Sequence, residues 1–245
     1  MYVINKHKKY LIYMFPKSGC STLRIIHAYL SANRDEWDGD FFEDRHHGIQ
    51  RRDDKTLFQK WGDYHDYTKV LVYRNPYERI VSLFFQKVCG VPAVTCRGKF
   101  YDEPIRLRFD MRTFENFVDV LVTCHFHHDE HFQPQRMPPC KFDRTLELSD
   151  VSTLFAGLRD DLHTEVQKIL AYTKKSNWNH ISKFAAPDGS YAAYDFYRDM
   201  EQWLAKGTLP SYNAMLTPEI CRKIDLFYDD YFTSAPTPCI PSACL

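Results

Sequence analysis

The stretch Tyr10-Leu-Ile-Tyr-Met-Phe-Pro-Lys-Ser-Gly-Cys-Ser-Thr-Leu-Arg24 changes its period at Pro16. Before it, Leu11 to Phe15 form an uninterrupted apolar run that suits a strand buried on both faces. After it, Leu23, Ile26 and Leu30 recur at helical intervals. The join between strand and helix holds a lysine, a glycine and small side chains. Successive backbone N–H groups can therefore point into one concavity at a helix N-terminus, which is an anion site by geometry. The order of residues excludes an ordinary nucleoside triphosphate loop. That loop needs glycine, four residues, glycine, lysine and then serine or threonine, whereas here Lys17 precedes Gly19.

The pattern repeats further on. Lys69-Val-Leu-Val-Tyr-Arg74 reads as a second buried strand, and Asn75-Pro76 stops it. Pro76 suits the first helical position, where its missing N–H would have had no partner anyway. Val81, Phe84, Phe85 and Val88 then give the next helix an apolar face. Two strand–turn–helix units in succession imply a parallel pair joined by a right-handed crossover, with a ligand crevice beyond the strand ends.

Composition sets the outer limits. The 245 residues, 44% hydrophobic and 16% aromatic, can bury a sizeable core, most economically as one α/β domain over 1–245. Thirty-two basic residues balance thirty-two acidic ones, which excludes a global field for nucleic acid or an anionic membrane and makes any anion site local. No stretch approaches the roughly 18–20 apolar residues of a membrane helix. The expectation is a soluble, by default cytoplasmic chain, Golgi-lumenal only if a membrane anchor has been removed. The eight cysteines form no close CxxC pair, which argues against zinc, and reduced thiols are the default.

The rest of the chain is less regular. Arg34 to Lys60 is polar and reads as an active-site loop carrying Asp44-Arg-His-His-Gly48, and Gly90 to Arg108 reads as a surface loop. Phe114, Phe117, Val118, Leu121 and Val122 mark a helix. The run His125-Phe-His-His-Asp-Glu-His131 is better read as a polar loop than as a metal site, because no HExxH pattern or cysteine partner accompanies it. Phe142 to Leu148 alternates as a third strand. Helices are expected over Leu154–Tyr172, Tyr194–Leu204 and Pro218–Tyr231, with an extended, proline-containing tail from about residue 233.

Phe15-Pro-Lys-Ser-Gly-Cys-Ser-Thr22 resembles the 5′-phosphosulfate loop of sulfotransferases, and Tyr73-Arg-Asn-Pro-Tyr-Glu-Arg-Ile-Val-Ser82 resembles their 3′-phosphate motif, in the same order. His131-Phe-Gln-Pro-Gln135, the Phe142–Leu148 segment, His180-Ile-Ser-Lys183 and the closing helix are similar to the carbohydrate branch, which includes heparan and chondroitin sulfotransferases. The resemblance implies a P-loop-like three-layer α/β domain with a central parallel sheet flanked by helices. It also implies 3′-phosphoadenosine 5′-phosphosulfate as donor, without a metal, and a hydroxyl acceptor, by preference on a glycan. Ser18 stands where threonine is frequent, and Asn75 where aspartate commonly follows the arginine. Asn75 can still cap a turn through its side-chain oxygen.

Sulfuryl transfer moves a planar anionic group between two oxygens, so positioning and charge stabilisation dominate. Under the resemblance, Lys17, Ser18, Gly19, Cys20, Ser21 and Thr22 hold the 5′-phosphate, and Lys17 also stabilises the leaving oxygen. Arg74 offers a planar fork of donors to the 3′-phosphate, and Ser82 adds a hydroxyl. Arg79 braces the loop through an ion pair, and Cys20 is a small loop residue rather than a nucleophile. The acceptor hydroxyl needs a base. His47 and His46, between the two motifs where heparan-type relatives place theirs, are the candidates, with Glu43 and Asp44 as alternatives. Two other readings stay open: a P-loop-like kinase or nucleotide hydrolase, which would need magnesium ligands, and a non-catalytic nucleotide-binding module.

Overall fold

The computed structural model describes residues 1–31, 57, 60–89, 111–124, 130–138, 140–175, 182–196, 198–199 and 208–232. The chain forms two compact units, one from Met1–Arg74 and Pro138–Trp178, the other from Asn75–Met137 and Asn179–Leu245.

The first unit is built on a four-stranded sheet in the order β1 (Tyr2–Asn5), β2 (Tyr10–Met14), β3 (Thr68–Tyr73), β4 (Arg144–Glu147). β2 runs parallel to β3, with Ile12 opposite Val70 and Met14 opposite Val72; β3 runs parallel to β4, with Tyr73 opposite Glu147. All five residues of β2 are buried, as its continuous apolar run requires. The sheet is not wholly parallel, because β1 pairs antiparallel with β2. A connection as short as Lys6 to Lys9 can only reverse the chain, since a parallel neighbour needs a long crossover. Alternation sends Tyr10, Ile12, Met14, Val70, Val72 and Leu146 to one face. There they meet Leu23, Ile26 and Leu30 of α1 (Cys20–Ser31) and Leu162, Val166 and Ile169 of α4 (Asp160–Lys175). Each fully buried aliphatic chain contributes roughly 1.5–3 kcal/mol. The helix expected from Leu154 starts only at Asp160. Gly157 adopts φ +66°, and its N–H donates to the Asp160 side chain at 3.2 Å, so the chain turns before the helix begins.

The second unit packs α2 (Pro76–Leu83, prolonged by a π-turn over Phe84–Val88), α3 (Phe114–Thr123) and α5 (Pro218–Phe232) around Phe84, Phe114, Phe117, Phe196, Ile220 and Tyr228. Asn75 caps α2 with its side-chain oxygen, accepting from Tyr77 N–H at 3.1 Å and Glu78 N–H at 3.5 Å, with Pro76 inside the first turn. β5 (Ser182–Phe184) and β6 (Thr208–Pro210) form a small parallel pair. The described part of the helix expected at Tyr194–Leu204 is not helical; Tyr194 instead packs its ring edge-on against Phe196 at 4.9 Å. Arg79 is fully buried. Its Nη1 donates to the Tyr228 hydroxyl at 2.8 Å, and its Nη2 donates to the carbonyls of His131 and Gln133 at 2.9 and 2.7 Å. The brace expected of Arg79 thus reaches a phenol and two carbonyls. Cys20, Cys89, Cys124 and Cys140 are not in disulfides, while Cys221, buried on α5, is disulfide-bonded, which corrects the reduced-thiol default at that position. Among the described residues no helix is long and apolar enough to cross a membrane.

Candidate active site

The candidate site begins where β2 ends. Ser18 N–H donates to the Phe15 carbonyl at 3.0 Å and closes a four-residue turn with Pro16 and Lys17 at its centre. Proline suits the first central position of such a turn, and the second demands positive φ when the turn is type II. Lys17 supplies it at φ +70°, a conformation unfavourable for any residue with a Cβ and one that marks stored strain. Gly19 follows at φ +76°, while Ser18 between them is not in the positive region. This alternation of sign is the backbone form of an anion-binding nest. Leu23 N–H then donates to the Gly19 carbonyl at 2.9 Å, the first helical bond of α1. The N–H groups of Cys20, Ser21 and Thr22, in the first turn, have no intrahelical acceptor and face the concavity's end of the helix dipole.

Packing holds this loop in place. A Cβ at Gly19 would lie 2.2 Å from Leu148 Cδ1, so the chain leaving β4 presses a side chain against the loop where only glycine fits. Ser18 is fully buried. The Cys20 thiol turns back to donate to the Phe15 carbonyl at 3.2 Å, and burial raises its pKa against the opposing pull of Arg24 and Lys17. A protonated, hydrogen-bonded thiol is a loop tie and not a nucleophile.

Arg74 follows β3 directly. The β2–β3 register puts Met14 opposite Val72, so Arg74 emerges level with Pro16. Its Nη1 donates to the Lys17 carbonyl at 3.2 Å. Lys17 and Arg74, separated by 56 intervening positions of sequence, are thereby joined in one unit. Ser82 lies on α2 in the second unit, half-buried. His46, His47, Glu43 and Asp44 lie outside the described residues, as does the segment 125–129 of the histidine-rich run. His131 is described and serves through its carbonyl as an acceptor for Arg79. Among the described residues no group of three or more histidine, cysteine, aspartate or glutamate side chains could hold a metal ion.

Two contributors escape a reading by motif. Leu148 belongs to an unremarkable apolar alternation, and nothing in the sequence pairs it with Gly19. Arg24 sits four residues after Cys20, a spacing that places both on one helix face, yet its proximity to the loop becomes evident only from the sheet.

The model of the sulfotransferase family matches residues 1–231, and the chain belongs to that family. No curated protein and no solved structure matches it. Membership supports sulfuryl transfer in general, to a hydroxyl acceptor, within a mixed α/β fold whose four-stranded sheet is flanked by helices.

Proposed function

We propose that the chain transfers a sulfuryl group from 3′-phosphoadenosine 5′-phosphosulfate to a carbohydrate hydroxyl by direct in-line displacement. The observation that carries this reading is the loop itself: a strained Lys17, a left-handed Gly19 and the start of α1 shape an anion cradle, and Arg74 is fixed against it. The family match supports the reaction class. The P-loop-like architecture and the function of 1–245 as one sulfotransferase-like domain belong to the same proposal.

In this reading the N–H groups of Gly19 to Thr22, with the hydroxyls of Ser21 and Thr22, hold the 5′-phosphate. Lys17 Nζ neutralises charge growing on the bridging oxygen as the sulfur–oxygen bond breaks. Arg74 holds the 3′-phosphate, and Ser82 is assigned to it from the motif alone. The acceptor oxygen forms the new bond to sulfur, and its proton passes to a base. His47 is the preferred base, with His46 second, and Glu43 or Asp44 next. The glycan acceptor rests on the thin similarity to the carbohydrate branch. The disulfide at Cys221 fits an oxidising lumen better than the cytosol.

The test is transfer of labelled sulfate from the donor to a panel of glycan, tyrosyl and small-alcohol acceptors with a chelator present. Sulfation of a glycan supports the full reading. Sulfation of only a non-carbohydrate acceptor removes the branch assignment while leaving the reaction.

A further inference from the structure

Arg24 lies one turn into α1, four residues beyond Cys20. Helical side chains lean toward the N-terminus of their helix, so a long residue at this position covers the turn that begins at Cys20. A contact fixes where its guanidinium goes. Nη2 donates to Met1 Sδ at 3.4 Å, and the Met1 carbonyl in turn accepts from Met14 N–H at 2.8 Å, at the end of β2 from which the loop springs. The charge of Arg24 is felt at the Cys20 thiol together with that of Lys17. These contacts put the guanidinium beside the end of β2 from which the loop springs.

Its bonding there is poor for a group with five donors. A thioether is a weak acceptor, and Nε is buried without a hydrogen-bond partner among the described residues. Those residues supply no carboxylate to Arg24 either. A buried Nε left without an acceptor is costly in the folded state, and an anion at the loop would complete the guanidinium's shell.

We propose that Arg24 is a third cationic anchor of the site, binding the anion that the loop holds. Resting on the reading above, this anion is the 5′-phosphate of the donor. Lys17 serves the bridging oxygen and Arg74 the 3′-phosphate, so Arg24 is left to the non-bridging oxygens of the phosphate at the helix start.

Titration calorimetry separates this role from a structural one. Adenosine 3′,5′-bisphosphate, adenosine 5′-monophosphate and adenosine 3′-monophosphate are titrated into the parent, Arg24→Met and Arg24→Lys. Arg24→Met should weaken the two 5′-phosphorylated nucleotides about 10-fold or more, the scale of one charge-assisted bond. The 3′-monophosphate should be unchanged, and Arg24→Lys should recover part of the loss. Parent-like affinity for the 5′-nucleotides in Arg24→Met, or an equal loss for all three, overturns the assignment. If Arg24→Met does not fold, Arg24→Lys and Arg24→Gln are judged by the same ratio of 5′ to 3′ losses. A parent that binds none of the three overturns the donor-site reading as well, whereas parental binding with an unaffected Arg24→Met overturns Arg24 alone.

Discussion

Arg74 donates from Nη1 to the carbonyl oxygen of Lys17 at 3.2 Å, so the second motif of the chain holds the backbone of the first. The residue proposed to read the 3′-phosphate also holds the turn that carries the lysine proposed to stabilise the leaving group. On those proposed roles one hydrogen bond would couple binding to chemistry, and variants at the two positions should differ in which step they damage.

Lys17→Ala should lower kcat by about 10²–10³-fold, on the scale of removing one oxyanion donor. It should leave the affinity for adenosine 3′,5′-bisphosphate near parental, because the lysine acts mainly on charge that develops in the transition state. Lys17→Gly adds a backbone test. Removing the Cβ at φ +70° relieves roughly 1–2 kcal/mol, against about 0.5–1 kcal/mol lost to greater freedom of the unfolded chain. Lys17→Gly should therefore be as stable as the parent or slightly more so in denaturant titration, while just as inactive as Lys17→Ala. Near-normal turnover in either variant contradicts the role.

Arg74→Ala should weaken adenosine 3′,5′-bisphosphate by roughly 1.5–3 kcal/mol, and Ser82→Ala by less, since only the first removes a charged partner. Adenosine 5′-monophosphate should be nearly unaffected by Ser82→Ala, and any loss it shows with Arg74→Ala measures the brace on Lys17. Calorimetry with both nucleotides gives the comparison. Equal losses for the two nucleotides in both variants would show that these side chains serve the fold and not the 3′-phosphate.

Gly19→Ala meets two obstacles, a left-handed backbone and a Cβ placed 2.2 Å from Leu148 Cδ1. Leu148→Ala should make room without curing the backbone. The single variant should melt lower and bind donor nucleotide weakly, and Gly19→Ala with Leu148→Ala should recover only part of the binding. Full recovery in the double variant would mean that the left-handed conformation contributes nothing.

The loop was legible because its signals are local. The apolar run to Phe15, the proline, the glycine and the restart at Leu23 all lie within a few residues, and Asn75-Pro76 announces α2 in the same way. Three features were not legible for physical reasons. β1 has four residues and owes its existence to pairing with β2. The apolar spacing from Leu154 runs on into Leu162 as one helix would, and only the left-handed Gly157 shows the break. The left-handed Lys17 could not be anticipated, because a lysine gives no hint of positive φ; the local Ser18-to-Phe15 turn bond and the bond from distant Arg74 to the Lys17 carbonyl accompany it.

The far end of α1 provides a stability test independent of catalysis. The Tyr10 hydroxyl and His27 Nδ1 are hydrogen-bonded at 2.9 Å, and burial lowers the imidazole pKa from 6.5 to about 4. The unfolded chain takes up this proton first, so the contribution is complete above about pH 6.5 and is lost as the pH falls toward 4. The gap between the two values corresponds to roughly 3 kcal/mol at the acid end. Denaturant titrations at pH 7 and pH 4.5 should show a smaller drop in His27→Gln than in the parent. Identical drops would remove His27 from the acid sensitivity.

The base calls for kinetics in place of binding. His47→Ala should abolish most transfer while sparing bisphosphate affinity, and His46→Ala should do less. In the parent, kcat/KM should fall at acid pH, since only a neutral imidazole accepts a proton. Parental rates and an unchanged acid limb in both variants would pass the role to Glu43 or Asp44.

The most direct measurement is single-turnover transfer of labelled sulfate from 3′-phosphoadenosine 5′-phosphosulfate to a glycan, in chelator, with parent and Lys17→Ala side by side. The account predicts a sulfated glycan and adenosine 3′,5′-bisphosphate in equal amounts from the parent, and a rate lower by about 10²–10³-fold in the variant. Absence of sulfated product from every acceptor, or magnesium-dependent cleavage of a nucleoside triphosphate in its place, would contradict it.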